Sequence, residues 1–489
     1  MFTTASTGRR GWALGLIALA QFMVIMDTSI IGVALPRIGA ELGFAPPDLQ
    51  WVFNAYVVAL AGLLLLGGRL SDLFGARRMF ATGWAVLLGG SVIAAVAGNA
   101  GFELAGRALQ GVGSALIAPA ALTLLMILFG GEPKQLARAL AVYGAAAPAG
   151  GTAGVFLGGV ITQWLSWPWV FWLYVPIAVL AVVVTPSLMP ATTPGRGQVD
   201  VTGAIAVTAG LALAVFAVVR APEQGWASLA TLGTLAAAIA LIGTFVLVQA
   251  RSRTPLMRLG ILATPNLGAA NLAQLLLGAA WIPLWYFLNL YLQQVLGYGA
   301  FASGAALLPM TVLIMVLMIG VAPRILARTG PKPMIIGGMI ALAAGLAWMA
   351  FARPTGSFAV DVLPASLVAA LGQALAFIPS LGTAISSARP EEGGLASGIV
   401  NTSYQVGSAL GLAAMTALAT SYGADRIGDP VALTNGYAAA FLGAAGIALV
   451  GALITAVVLR AHPPASAVDA NRPSQDRPTD GSRHDDLAA

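Results

Sequence analysis

Apolar runs of about twenty residues follow one another along almost the whole of this chain, and that leaves few folds open. A helix needs roughly 20 mostly apolar residues to cross about 30 Å of hydrocarbon. Blocks of that kind fall at 11–34, 48–68, 78–97, 103–125, 137–160, 166–188, 200–219, 228–249, 266–292, 300–322, 332–351, 359–383, 394–418 and 436–459. Inside a bilayer every backbone N–H and C=O must find its partner within the protein, which repeated segments of this length achieve as helices. The pattern predicts an all-α polytopic membrane protein with 14 spans. The first block follows Arg9 and Arg10, as a signal peptide would. It is too long for one, and Asp27 interrupts it, so it reads as a retained helix.

Composition closes off other classes. Only 9% of the residues are charged, against about 25% in soluble domains. The net charge of +6 does not mark a nucleic-acid binder, because the charges sit in short loops between apolar blocks. With no cysteine there is no disulfide framework, thiolate chemistry or zinc–cysteine site. The histidines, His462 and His484, both follow the last apolar block. No metal and no cofactor is expected. Glu103 and Asp361 read as isolated acids near the outer surface, which offers a lipid-modifying enzyme no cluster to work with, so the chain is not read as an enzyme.

Loop charge orients the spans. With the N-terminus in the cytoplasm, the loops carrying Arg9, Arg69, Arg77, Arg78, Lys134, Arg196, Arg251, Arg324, Lys332 and Arg460 lie inside. Only Arg37, Arg220, Arg353 and Arg426 fall outside. Both termini are therefore placed in the cytoplasm. The preference for Arg over Lys fits a high-GC bacterial genome, and so a bacterial cytoplasmic membrane. A faint repeat joins Gly68–Arg77, after the second block, to Pro323–Lys332, after the tenth. Two six-helix halves and an inserted helix pair account for 14 spans, and repeated halves with a site between them are a transporter architecture. The expected divisions are 1–189, a six-helix bundle; 190–258, the inserted pair with its linkers; 259–460, a second six-helix bundle; and 461–489, a disordered cytoplasmic tail.

Ionisable groups at membrane depth are costly and so mark function. Asp27 in the first block and Arg107 in the fourth are the clear cases, both in the outer half. They read as a protonatable carboxylate governed by a nearby cation and by hydration; the plainer alternative is a static pair. Gln110 lies three residues on, near the face of Arg107. In the fifth block Gly150, Gly154 and Gly158 form one stripe, beside Gly151 and Gly159. They serve either ordinary packing or a close, movable contact. Asp72 among Arg69, Arg77 and Arg78 suggests a breakable cytoplasmic latch. In the ninth block Asn271, Gln274, Trp281, Trp285 and Asn289 lie near one face. Amides are costly toward lipid, so that face either lines a substrate cavity or hydrogen-bonds other helices. Trp164, Trp167, Trp169 and Trp172 read as an interfacial aromatic belt.

Several of these segments resemble, in order and spacing, the successive motifs of the major facilitator superfamily, in its fourteen-span drug:proton antiporter branch. They are Met26–Ile30 with Val33–Pro36, the Gly68–Arg78 loop, Arg107–Gly113 and the glycines of the fifth block. The second half adds Tyr291–Tyr298, Gly304 with Leu308-Pro309, and Gly394–Gly398 through Asn401 to Gln405–Gly407. The resemblance implies two pseudosymmetric six-helix bundles, two inserted helices, and alternating access coupled to inward proton flow. By position it assigns Asp27 and Arg107 to proton coupling, and Asp72, Arg77, Arg78, Gly150, Gly154, Gly158 and Gly159 to gating. Gly32 stands where the family usually has Asn, Val155 where it has Pro, and Pro168 and Tyr174 where it has Arg and Asn. A single membrane carboxylate argues against dicationic cargo. The expectation is a monomeric exporter of amphipathic small molecules such as drugs, antibiotics or dyes, by proton antiport, with no nucleic-acid partner. A dedicated exporter of one self-made metabolite, and an importer of the same fold, are the rival readings.

Overall fold

The computed structural model describes residues 7–46, 48–192, 200–252, 255, 259–264, 266–388 and 393–460. The linker at 193–199 and the tail from 461 lie outside the described residues. Those described form helices and no strand. The first half comprises α1 (Thr7–Leu42), α2 (Trp51–Phe74), α3 (Ala76–Ala95), α4 (Ala100–Phe129), α5 (Pro133–Trp164), the short α6 (Trp169–Trp172) and α7 (Tyr174–Leu188). A hairpin of α8 (Val201–Gln224) and α9 (Leu229–Arg251) follows. The second half holds α10 (Leu267–Leu290), α11 (Ala300–Val316), α12 (Ala322–Thr329), α13 (Pro331–Met349), α14 (Leu363–Ser386), α15 (Gly393–Ser421) and α16 (Pro430–Val458). Single π turns extend α10 through Tyr291–Val295 and join α11 to α12 through Leu317–Val321.

The two halves repeat one packing scheme. In the first, α3 packs on α4, α1 on α5, α2 on α4 and α3 on α7; in the second, α13 packs on α14, α10 on α15, α11 on α14 and α13 on α16. The same small residues permit it, since helices in lipid gain most from close backbone approach. Gly83 and Gly113 let α3 meet α4, and Gly338 and Gly372 do so for α13 and α14. The faint sequence repeat has a physical basis. Gly75 (φ 93°) and Gly330 (φ 76°) occupy equivalent turns in the left-handed region, where glycine carries no Cβ penalty. Across the seam α5 meets α11 and α2 meets α15, while α8 bridges both halves by packing on α2 and α15. The outward residues of α9, such as Leu229 and Ile239, are exposed apolar surface suited to lipid.

Among the described residues, 13 helices are long and apolar enough to cross a membrane. The block at 394–418 forms α15 but is not one of them. Asn401, Thr402, Ser403 and Gln405 dilute its hydropathy, and it packs between α10, α14, α16 and α2. Of the expected tryptophan belt, Trp164 and Trp169 are exposed. Trp167 departs from it: it is buried and donates to Glu41 Oε2 at 2.7 Å.

Candidate functional site

The site is built on α4. Asn99 starts that helix by accepting from the Phe102 N–H at 3.1 Å, a side-chain cap. Gly106 and Gly113 then hold α4 against the backbone of α3: a Cβ added to either would lie 2.6 Å from a main-chain nitrogen, of Ala94 or of Leu87. Gly111 lies against the Tyr56 carbonyl of α2. With both neighbours this close, Arg107 has no route to solvent and extends toward α1 and α2.

The Arg107 guanidinium forms an ion pair with Asp27, and each residue is 1% exposed. Its Nε donates to the Val52 carbonyl at 2.8 Å and its Nη1 to Gln110 Oε1 at 2.8 Å. Gln110 Nε2 donates to Ser91 Oγ at 2.9 Å, and that hydroxyl donates to the Leu87 carbonyl. The guanidinium also lies 4.7 Å from the Tyr56 ring centroid and 5.9 Å from that of Phe171, a cation–π arrangement. The Tyr56 hydroxyl donates to the Val24 carbonyl at 3.2 Å and lies 3.0 Å from Ser114 Oγ. Asp27 Oδ2, Arg107 Nη2 and the Tyr174 hydroxyl have no hydrogen-bond partner among the described residues. Six elements thus converge on one buried charge pair that retains unused hydrogen-bonding capacity. Such a pair can exchange partners or take up a proton without solvent.

The glycines of α5 flank this pair on α1. Gly150 lies against the Phe22 carbonyl, Gly154 against Met26 and Ser29, and Gly158 against Ile30. Gly159 instead faces the second half, where an added Cβ would sit 2.9 Å from the Ala300 carbonyl of α11. Gly304 of α11 returns the contact: a Cβ added there would lie 2.7 Å from the Val155 carbonyl oxygen. Phe301 packs on Phe156 and Trp164 beside it. On the other flank, Gln293 Nε2 donates to the Val33 carbonyl at 3.2 Å. The room left by Gly32 is taken by the Asn289 amide and the Trp285 ring of α10. These contacts tie the two halves together at the end that loop charge assigns to the outside.

Other expected positions fall elsewhere. Gln110 does not face a cavity; both ends of its amide serve Arg107 and Ser91. The face of α10 divides between neighbours. Asn271 donates to the Leu267 carbonyl and accepts from Ser403 of α15, while Gln274 donates to the Phe377 carbonyl and Ser380 Oγ of α14. Those amides therefore follow the interhelical alternative. Trp281 and Asn289 are buried, and Trp285 is half-buried toward α1. Arg77 contacts the end of α7 and the chain beyond it, through Thr192 Oγ1 and the Pro186 carbonyl at 3.4 Å each. Arg78 is exposed, and the Asp72 side chain lies outside the described residues.

Sequence reasoning missed Tyr56 and Tyr174, which read as apolar, and misplaced Glu103. That residue is fully buried rather than isolated at the surface. Its spacing of four from Arg107, one turn along a single face, was the available clue. The argument against dicationic cargo from a single membrane carboxylate falls with it.

Comparison with known proteins follows the same lines. The sequence model of the Major Facilitator Superfamily matches residues 17–412, with a second match over 368–483. The cephamycin export protein CmcT of Amycolatopsis lactamdurans is 38% identical over 94% of this chain and 96% of that protein. The puromycin resistance protein of Streptomyces alboniger is 35% identical over 92% of each chain. The tetracenomycin C resistance and export protein of Streptomyces glaucescens is 32% identical over 87% of this chain and 79% of its own. Among solved structures, the nucleoside transporter NupG superposes with a TM-score of 0.65 at 13% identity, covering 92% of this chain and all of that one (100%).

Proposed function

This chain belongs to the major facilitator superfamily, and from that premise we propose that it exports amphipathic small molecules in exchange for entering protons. It is a multi-pass membrane protein, and its family consists of transporters, not enzymes. Export is supported by the relatives, which are named as antibiotic export or resistance proteins. Proton coupling is supported by one observation above all, the Asp27–Arg107 pair sealed inside the first half with unpartnered atoms on both members. A purely structural buried pair is often no better than an apolar replacement. Asp27 alternates between its pairing with Arg107 and a protonated state, while α5 and α11 open and close the outer end. One proton falling through 100 mV releases about 2.3 kcal/mol, enough for roughly a fifty-fold gradient of neutral cargo.

With α15 as the fourteenth span, both termini lie in the cytoplasm and the bilayer is a bacterial cytoplasmic membrane. The transporter works as a monomer and needs no cofactor. The amides of α10 still free at their oxygens, Gln274 Oε1 and Asn289 Oδ1, are its best remaining cargo contacts. A dedicated exporter of one antibiotic is the second reading, favoured by relatives whose names each carry a single compound. Inside-out vesicles holding an imposed pH gradient separate the two. Cephamycin, puromycin, tetracenomycin C and unrelated amphipathic dyes are added one at a time. Gradient loss with many compounds establishes the broad pump, loss with one establishes the dedicated pump, and loss with none rejects proton-driven export of these classes.

A further inference from the structure

Glu103 is a second carboxyl that the coupling scheme leaves unused. It lies four residues before Arg107 on the same face of α4, about 6 Å nearer the outer end. It is fully buried, yet neither carboxyl oxygen has a hydrogen-bond partner. It is close enough to Arg107 and Asp27 to sense both charges. A glutamate in the first turn of a helix ordinarily serves the dipole or the free N–H groups. Here Asn99 takes the cap, and Glu103 accepts from no backbone N–H. A buried carboxylate without donor or paired cation costs far more than the neutral acid does. Arg107 Nη2 is the complementary loose end, a buried donor with no acceptor. The other titratable groups acting on this cluster are Tyr56 of α2 and Tyr174 of α7; α3 and α5 contribute none among the described residues.

We propose that Glu103 is the outer proton-carrying carboxyl of this site and that Arg107 exchanges between it and Asp27. The proposal rests on the proton-coupled reading of Asp27 and Arg107. In the arrangement observed, Arg107 pairs with the Asp27 carboxylate while Glu103 holds the proton. When the guanidinium turns to Glu103, the Glu103 O–H bond breaks and an Asp27 O–H bond forms. The two carboxyls share one proton and one negative charge before and after. As Asp27 releases its proton inward, Arg107 returns to it and Glu103 takes up a proton from the outer side in the same step, so one carboxyl stays protonated and the other stays paired. The exchange gives inward proton flow a direction without placing a bare charge in the membrane.

Infrared spectroscopy of the full chain in lipid vesicles reads the proton directly. Near neutral pH the wild type should show the C=O stretch of a buried carboxylic acid. That band should vanish in Glu103→Gln, a neutral isostere that preserves packing, and weaken in Asp27→Asn, which mimics protonated Asp27 and leaves Arg107 to pair with an ionised Glu103. A band unchanged in Glu103→Gln overturns the proposal. Gradient-driven ethidium export by the same proteins separates its failure from that of the underlying reading. Loss of roughly tenfold or more in both variants, with partial recovery in Glu103→Asp, supports the exchange. Loss in Asp27→Asn alone overturns the exchange and leaves proton coupling standing. Wild-type export in both variants overturns both.

Discussion

Replacing Gly304 by alanine should loosen the outer seal by an amount the geometry allows to be estimated. The added methyl would lie 2.7 Å from the Val155 carbonyl and 3.3 Å from Gly159 Cα, both backbone atoms of α5. Neither can rotate away, so α11 must back off until an ordinary contact distance is restored, by about 1 Å. Overpacking of this kind costs about 1–3 kcal/mol. The cost falls on the closed outer end and not on a state in which α5 and α11 have parted. The ratio of open to closed should therefore rise by roughly 5-fold to 150-fold. The chain contains no cysteine, so one reporter thiol is unambiguous. Asn289→Cys places it on α10 beside Gly32, where the native side chain is fully buried. Maleimide labelling from the outer side of right-side-out vesicles should quicken by at least the lower figure when Gly304→Ala is added. An unchanged or slower rate would refute the argument that this glycine contact holds the outer end shut.

Arg107→Lys keeps the charge but loses the planar fork, removing the extra bond to the Val52 carbonyl and leaving Gln110 Oε1 buried without a donor. At about 1–3 kcal/mol for the orphaned group, the variant should unfold several degrees lower in detergent and lose most gradient-driven transport; an unaltered melting temperature would show that these bonds contribute little. Gln274→Leu should cost about 1 kcal/mol, since interhelical hydrogen bonds in membranes are individually weak. Both of its donor contacts go to α14 while Oε1 is left for cargo, so cargo KM should rise clearly; an unchanged KM would remove Gln274 from the cargo contacts. Arg353→Ala removes a pair with Asp361 whose Arg side chain is 62% exposed. Its partner is buried, since the Asp361 side chain is only 5% exposed and is held by two bonds at 2.9 and 3.0 Å, so losing the cation should lower the melting temperature while transport stays at the wild-type value; an unchanged melting temperature would show that the pair contributes little.

The fold was legible because hydropathy is written over whole segments. Where the apolar pattern thinned, it misled. α15 packs among helices yet carries Asn401, Thr402, Ser403 and Gln405 near its start, which thins its apolar signal, and the block edges fell short of the helices, α1 running to Leu42 and α4 starting at Ala100. That second error cost the reading Glu103, which was taken as isolated near the outer surface when it lies fully buried in the first turn of α4. Asp27 and Arg107 were legible because a charge in an apolar run has no neutral explanation. Their surroundings were not. Tyr56 and Tyr174 look like any aromatic until packing sets the Tyr56 ring against the Arg107 guanidinium and buries the Tyr174 hydroxyl without a partner among the described residues. Gln110 was placed on the right face, but only geometry shows its amide spent on Arg107. The α10 amides show the limit of facial periodicity. Spacing told that Asn271 and Gln274 share a side, but not that α14 and α15 already meet it.

The central claim is that Asp27 carries the proton whose entry drives export. It is tested most directly in inside-out vesicles with a dye-reported pH gradient, comparing wild type with Asp27→Asn as amphipathic compounds are added. The account predicts gradient loss on addition in the wild type and none in the variant, with cargo exchange in the absence of a gradient retained by both. Equal gradient loss in the two proteins would contradict it, moving the proton path away from Asp27 and leaving the pair with Arg107 a structural tie between α1 and α4.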